Sequence, residues 1–294
     1  MPGVGALGRK TEADGTSAAR SEGGSPDEDR VASLWSSILD ILPVDSGEPP
    51  PAVLNGRGRR APWGRGISKE RRKVMTPGPT NILKCSGCAG LIAQHTIASG
   101  NTFGARFWTD GKREAPMLPD QPWLVKCPHC ATLLWITELE EVGKVDWWGA
   151  GRNSFGDAST YETPTLDDYL ALAGAGVADG EKERYVRLRA WWAGNDARRT
   201  GTFRAKLAGE RPVAREVPAT PAEAGNLSEL AGLLEGSDEG DLLMKAEVMR
   251  ELGRFDEARA LLERVADGGL AKAREVIGRL VEQGDRTVRE MKFD

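Results

Sequence analysis

Four cysteines are the residues of this chain with the clearest capacity for chemistry, and they form two pairs with the same internal spacing. Cys85 and Cys88 enclose the segment CSGC, and Cys127 and Cys130 enclose CPHC. A two-residue spacer lets both thiolates of a tight turn point the same way, and backbone N–H groups of the turn can donate to the sulfurs. Zn²⁺ takes four such donors at about 2.3 Å. The spacing therefore predicts one closed metal site with these four residues as ligands.

CPHC by itself supports two other interpretations. It resembles the active-site motif of strongly oxidising disulfide oxidases, and rubredoxins hold iron on a similar Cys-Pro-x-Cys turn. An oxidase would place an amphipathic helix after the motif, whereas ATLLWITELEEV after Cys130 is typical of a strand. A rubredoxin turn would continue with glycine and an aromatic residue, whereas Ala89-Gly90-Leu91 follows the first pair. Zinc is favoured, with iron or thiol redox chemistry as the alternatives.

The flanks of both pairs predict short strands around tight turns. NILKCSGCAGLIAQHTI and WLVKCPHCATLLWITEL are apolar on either side of the cysteines. Gly87 is expected to ease the first turn and Pro128 to stiffen the second. With these flanks, residues 81–138 resemble a zinc ribbon, which implies a structural Zn²⁺ on Cys85, Cys88, Cys127 and Cys130. Binding would contribute on the order of 10 kcal/mol to folding.

A long insertion separates the two pairs. The 38 residues between Cys88 and Cys127 exceed what a compact ribbon needs. The excess lies in 101–122, where Asp110-Gly111 predicts a turn, and this insertion is a candidate interaction surface.

Other polar residues of this region suggest no catalytic group. His129 and His95 lie near the cysteines in sequence, but four thiolates leave them no ligand position, so ordinary turn or surface histidines are expected. Asp110, Asp120, Lys112 and Arg113 are polar residues of the kind that turns carry routinely. With no evident Ser/His/Asp grouping, the chain is predicted not to be an enzyme.

Composition limits the class of protein. Of 294 residues, 39% are apolar, mean hydropathy is −0.43 and the net charge is −4, so the whole chain has no electrostatic preference for nucleic acid. Four cysteines are too few for a disulfide framework. The sequence shows no apolar secretory segment and no run of 18 apolar residues. A cytoplasmic protein without a membrane partner is the expectation.

Residues 1–74 are predicted to be a mostly disordered arm with one short helix. Ser25-Pro26-Asp27-Glu28 is typical of a capping box, and apolar residues follow at helical spacing until Pro43. The block 57–73 is rich in arginine and lysine, which makes a nucleic-acid-binding arm the alternative to a solvated linker. The change of composition at Met75 also raises the hypothesis that translation begins there.

Residues 146–210 are predicted to hold a loop and two helices. Thr165 is expected to cap the first helix, with Asp168 three residues on. The second helix is expected to run from Glu181 to Trp192, with Trp191 on its apolar face. Trp147-Trp148 and Trp191-Trp192 are assigned to packing rather than to base stacking. Residues 211–221 form a linker.

Residues 222–294 are predicted to be helical almost to the end. AEVMRELGRFDEARALLERV resembles a tetratricopeptide hairpin, in which Gly253 would lie at the turn between two helices. Such a segment implies binding of a protein partner. The match is partial, since Lys245 replaces an expected leucine and only about one repeat is present.

The expected fold class is α+β multidomain: the arm 1–74, a zinc-ribbon-like module at 75–145, the loop and helices at 146–210, the linker 211–221 and the tetratricopeptide-like segment 222–294. The combined layout resembles uncharacterised bacterial proteins, and this resemblance implies no activity. A cytoplasmic adaptor with structural zinc is the leading functional hypothesis. A nucleic-acid-associated ribbon that uses 57–73 is the first alternative, and a rubredoxin-like or thiol redox protein is the second.

Overall fold

The computed structural model describes residues 75–146, 152–177, 179–207, 217–266 and 268–292. The predicted N-terminal helix, the basic block 57–73 and Trp147-Trp148 lie outside these ranges. The described part is a mixed α+β structure with small sheets and six α-helices. None of these helices has both the length and the apolar character needed to cross a membrane.

The largest sheet has four strands and carries the first cysteine turn. Its strands are β1 (Thr76–Lys84), β2 (Leu91–Ser99), β7 (Glu140–Val145) and β8 (Ser159–Thr160), in the order β7-β1-β2-β8. β1 and β2 form an antiparallel hairpin, and β8 adds a short parallel edge. The predicted strands on either side of CSGC are therefore confirmed.

The second cysteine turn joins a separate two-stranded hairpin of β5 (Leu124–Lys126) and β6 (Leu133–Trp135). A single 3₁₀ turn, Ile136–Glu138, follows β6 and leads into β7. The segment after CPHC is thus extended, as the sequence predicts, and not the amphipathic helix that a thiol oxidase requires. We call β1, β2 and β5–β8 with their two turns the thiol module.

The insertion between the cysteine pairs packs on the C-terminal part of the chain. Its strands β3 (Arg106–Trp108) and β4 (Arg113–Glu114) form a hairpin, and β3 also pairs with β9 (Glu290–Met291). Gly111 has a φ of 81°, which confirms the predicted turn. β9 lies beyond the stretch that the sequence predicts to be helical. A two-residue strand has too little periodicity to be seen in sequence, and its partner strand lies more than 180 residues away.

Helices α1 (Leu166–Ala175) and α2 (Gly180–Leu207) pack on each other beside the thiol module. Thr165 and Asp168 make the predicted capping box, and Gly176 ends α1 with a φ of 84°. The predicted end of α2 at Trp192 is wrong, since the helix continues to Leu207. Beyond Trp192, buried Asn195 and Arg199 bond to other elements, so tertiary contacts extend the helix past its apolar stretch.

The remaining helices are α3 (Pro221–Leu233), α4 (Glu239–Glu251), α5 (Phe255–Leu262) and α6 (Ala271–Glu282). Gly253 has a φ of 78° between α4 and α5, as expected for a turn that reverses the chain. We call α3–α6 with β3, β4 and β9 the helical block. α4 lies at its centre, because the other elements bury almost its entire circumference.

Candidate metal centre

The two cysteine turns have the same backbone conformation. In the first, Cys85 N–H donates to the Gly90 carbonyl and Ala89 N–H donates to the Cys85 carbonyl, both at 2.9 Å. In the second, Cys127 N–H donates to the Thr132 carbonyl and Ala131 N–H donates to the Cys127 carbonyl, again at 2.9 Å. Each turn thus closes on itself before its strands begin, which fixes the direction of its thiols.

The left-handed residue of each turn is an alanine. Ala89 and Ala131 both have a φ of 61°, a conformation uncommon for residues other than glycine. The expectation that Gly87 eases the first turn is therefore only partly correct. A Cβ on Gly87 would lie 3.2 Å from the Thr132 hydroxyl oxygen and 3.7 Å from Cys130 Sγ. Gly87 thus allows the two turns to approach, while Ala89 makes the left-handed bend.

The four sulfurs converge on one point. All four lie within 4.8 Å of one another, and the pairs Cys85–Cys130 and Cys88–Cys127 are each 3.8 Å apart. Ligands on a tetrahedral Zn²⁺ at about 2.3 Å would be separated by about 3.8 Å. A disulfide would require about 2.05 Å, and all four cysteines are free thiols. The spacing between the turns therefore fits a metal ion at the centre.

Backbone amides point at the sulfurs, as the spacing predicts. Gly87 N–H donates to Cys85 Sγ at 3.3 Å, and His129 N–H donates to Cys127 Sγ at 3.4 Å. These bonds favour the charged thiolate form that binds metal. Cys85 and Cys127 are buried, whereas Cys88 and Cys130 are exposed. The centre lies at the surface with its inner half in the core.

The thiols differ in proton affinity. Hydrogen bonds from the hydroxyl and backbone N–H of Thr132 lower the pKa of Cys130 to about 6. At Cys88, the Gly90 N–H acts to lower the pKa, but the neighbouring thiols, led by Cys130, together with partial loss of hydration outweigh it and raise the pKa to about 12. Four adjacent thiols cannot all be charged without a cation to neutralise them. A bound Zn²⁺ would supply that charge.

Both histidines have partners outside the sulfur cluster. His129 Nε2 donates to the Leu91 carbonyl at 2.9 Å and so links the second turn to β2. His95 Nδ1 lies 3.0 Å from the Thr80 hydroxyl and its Nε2 lies 3.2 Å from the Thr160 hydroxyl. In the described part of the chain, the group of potential metal ligands around the centre consists of the four cysteines.

A second polar cluster, which the sequence did not predict, lies between the insertion and the helices. Asp110 is completely buried, where Arg199 and Asn195 donate to its carboxylate. Asn195 also donates to Glu251 at 3.0 Å, and the Trp191 indole donates to Glu251 at 2.8 Å. The assignment of Asp110 to an ordinary turn was therefore incomplete. Its burial depends on a contact with α2, more than 80 residues away.

The cluster extends into α4. Arg250 makes a two-bond ion pair with Glu247, and both side chains are fully buried. Arg250 also donates to the carbonyls of Asp285 and Thr287, which anchors the segment before β9. Burial, followed by repulsion from Glu247 and Asp110, raises the pKa of Glu251 to about 8. We call Asp110, Asn195, Arg199, Glu247, Arg250 and Glu251 the buried charge network.

The sequence contains one signal for this network, which is the set of charged residues among the apolar residues of α4. Glu247, Arg250 and Glu251 alternate with apolar residues in α4 and resemble a solvent-facing stripe. Trp191 and Trp192, in contrast, are buried as predicted.

Comparisons with known proteins identify no relative of this chain. Protein-family models, curated proteins and solved structures were each compared with the chain, and none of the three comparisons gave a match. The functional argument therefore depends on the residues of this chain.

Proposed function

We propose that the chain is a non-enzymatic cytoplasmic adaptor, in which one structural Zn²⁺ holds a zinc-ribbon-like module and the helices bind a protein partner. The observation that carries the metal part is the set of four sulfurs from two matching turns. Its two cross-turn distances are both 3.8 Å.

The donor set favours a structural role for the ion. Four thiolates complete a tetrahedron and leave no open position for a substrate or an activated water. Cys85 and Cys88 would hold the ion on the side of β1 and β2, and Cys127 and Cys130 on the side of β5 and β6. The ion would supply positive charge and a cross-link between two hairpins. Iron has the same ligand preference here, so metal analysis must distinguish the two.

The adaptor part is supported by the organisation of the helices. α4 and α5 form an antiparallel hairpin around Gly253, similar to a tetratricopeptide unit. Buried charged groups at the helical block bond to one another: Asp110 to Arg199 of α2, and Glu247 to Arg250 within α4. These four side chains are held inside the core, which is compatible with a structural role for their ion pairs.

Metal analysis of protein purified under reducing conditions without added metal tests the first part. We expect about one zinc ion per chain, lost in Cys127→Ser and kept in the control Ser86→Ala. Ser86 is exposed in the same kind of turn but offers no thiol. If the purified protein instead contains iron and is visibly coloured, the rubredoxin-like hypothesis would replace the zinc hypothesis. Four freely reactive thiols in the native protein would contradict a metal site.

Capture from the native host with a cross-linker tests the second part. We expect a protein partner whose cross-links map to the helical block, where Lys245 and Lys272 offer amines on α4 and α6. Recovery of nucleic acid instead, lost at high salt and on deletion of 57–73, would favour the nucleic-acid-associated alternative. Cross-links confined to the thiol module would contradict the assignment of partner binding to the helices.

A further inference from the structure

The hairpin β5–β6 lies between two hydrophobic cores, one around the cysteines and one at the helix pair α1 and α2. Leu124 and Val125 are adjacent and both are completely buried, but in opposite directions, because side chains alternate along a strand. Val125 packs with Leu134 around Cys85 and Cys127. Leu124 packs instead against Tyr169 of α1 and Val186 of α2. One face of the hairpin therefore contacts the thiols and the other contacts the helix pair.

Lys126, the residue before Cys127, links the hairpin β5–β6 to α1. Its ammonium lies 3.0 and 3.1 Å from the two carboxylate oxygens of Asp168, which also completes the capping box of α1. Its backbone N–H and carbonyl both pair with Glu162 at 2.9 Å. The residue next to a metal-binding thiol thus holds both the first turn of α1 and the strand segment that leads to it.

The other end of the hairpin is fastened to α2. Trp123 N–H donates to the Tyr185 hydroxyl at 3.0 Å, and the two rings stack with centroids 4.7 Å apart. Trp135 packs on the same tyrosine at 6.0 Å, and the ammonium of Lys182 lies over the Trp135 ring. Aromatic contacts of this kind each contribute measurably beyond their buried area.

The two cysteine turns have unequal support. The first lies on β1 and β2, two nine-residue strands within a four-stranded sheet. The second lies on two strands of three residues each, and an isolated two-stranded hairpin is marginally stable at best. The hairpin β5–β6 therefore depends on its two faces, the thiols and the helix pair, for its order.

We propose that β5–β6 couples the thiol centre to the helix pair, so that metal binding controls the docking of α1 and of residues 180–187 of α2. With the ion bound, the hairpin is rigid and presents Leu124, Lys126 and Trp123 to the helices. Without it, the hairpin and the helix pair loosen together, while α4 and α5 keep their own core. This inference rests on the proposed metal site.

Hydrogen exchange of the full-length chain, loaded with Zn²⁺ and then freed of it by EDTA under reducing conditions, tests the coupling. We expect amide exchange in α1 and in residues 180–187 to become about tenfold faster on metal removal. In α4 and α5 the change should stay below about twofold, and Zn²⁺ added back should restore protection. Unchanged exchange in α1 after complete metal removal would overturn the coupling, and so would equal loosening of α4 and α5.

Lys126→Met separates coupling from metal binding. We expect this variant to keep one Zn²⁺ per chain but to lose part of the protection of α1 even when loaded, so that EDTA changes α1 less. Lys144→Met is the matched control, because Lys144 makes a surface ion pair with Glu141 on β7. Wild-type behaviour of Lys126→Met would overturn the coupling while the metal site stands. A wild-type chain that takes up no Zn²⁺ would overturn both.

Discussion

In the thiol module, the described cluster around the cysteines contains six buried residues, and two of them are Cys85 and Cys127. Around the helical block, twenty-two buried residues form one continuous cluster, to which α2 contributes Leu188, Trp191 and Trp192. Apolar burial contributes about 25 cal/mol per Å², so the larger cluster gains more stabilisation from burial than the smaller one. The smaller one is below the size at which a core usually suffices without a metal or cross-link.

The two regions also differ in how they treat charge. The helical block buries whole ion pairs, such as Glu247 with Arg250, whose opposite charges neutralise each other inside the core. The thiol module gathers four groups of the same kind, which become mutually repulsive when ionised. The helical block, together with α2, therefore neutralises its buried charges with its own residues, whereas the thiol module presents four thiols spaced to bind a cation from outside the chain.

Cys127→Ser should have the largest effect, because it removes one of four ligands from a module with little core of its own. We expect zinc content to fall below about a tenth of the wild-type value and the thiol module to lose cooperative unfolding, a loss on the order of several kcal/mol. Metal analysis and near-UV circular dichroism check this. A variant that retains zinc and folds normally would show that the module does not depend on its metal.

Arg250→Met should be the most damaging single change in the helical block. It leaves the Glu247 carboxylate buried without its partner, which costs about 3–5 kcal/mol in unfolding free energy. The matched control is Arg254→Met, since Arg254 pairs with Glu257 at the surface and its loss should cost less than about 1 kcal/mol. Urea unfolding measures both. Equal effects would mean that burial does not distinguish the two pairs.

Stability should fall as the pH rises from about 5 to about 8, because of Glu251. Its pKa is about 8 in the folded chain against 4.5 for an ordinary glutamate. In this window the folded state therefore binds more protons than the unfolded state, and a rising pH favours unfolding by at most about 1.4 kcal/mol per unit. Glu251→Gln should flatten the urea midpoint against pH in this window. Glu257→Gln, at the surface, should leave the slope unchanged.

Thr165→Ala and Thr220→Ala each remove one helix cap. Thr165 lies next to the thiol module and Thr220 lies in front of α3 in the helical block. Both threonines complete capping boxes, on α1 and α3 respectively, so each loss should cost about 1 kcal/mol. If the two regions unfold separately, thermal unfolding shows two transitions, of which the thiol module's depends on metal. We expect Thr165→Ala to lower the midpoint temperature of the metal-dependent transition and Thr220→Ala to lower that of the helical block. If both variants shift a single common transition, the thiol module and the helical block unfold as one unit.

Local patterns predicted much of the described structure. The strands on either side of both cysteine pairs, the Thr165 capping box, the Asp110-Gly111 turn and the Gly253 turn all form as predicted. Each depends on residues within a few positions of one another, which a sequence pattern records directly. The direction of the thiols within each turn was predictable for the same reason, whereas the tertiary structure brings the two pairs together.

Contacts between distant segments were not predictable. The continuation of α2 to Leu207 depends on Asn195 and Arg199, which meet Asp110 from the insertion. β9 exists because β3 offers it a partner. Ala89 and Ala131 adopt left-handed φ because the closed turns require it there, although the sequence places glycine at neighbouring positions of the first turn.

The sequence by itself determined the two matched cysteine turns, their strands and the order of the helices, because these follow from spacing and periodicity along the chain. Only the tertiary structure decided which side chains share an environment. It placed Leu124 and Val125 in different cores, fastened Lys126 to Asp168, and buried Asp110 with Glu251. The physical reason is that burial and charge pairing depend on the packing of distant segments, and one-dimensional patterns do not carry that information.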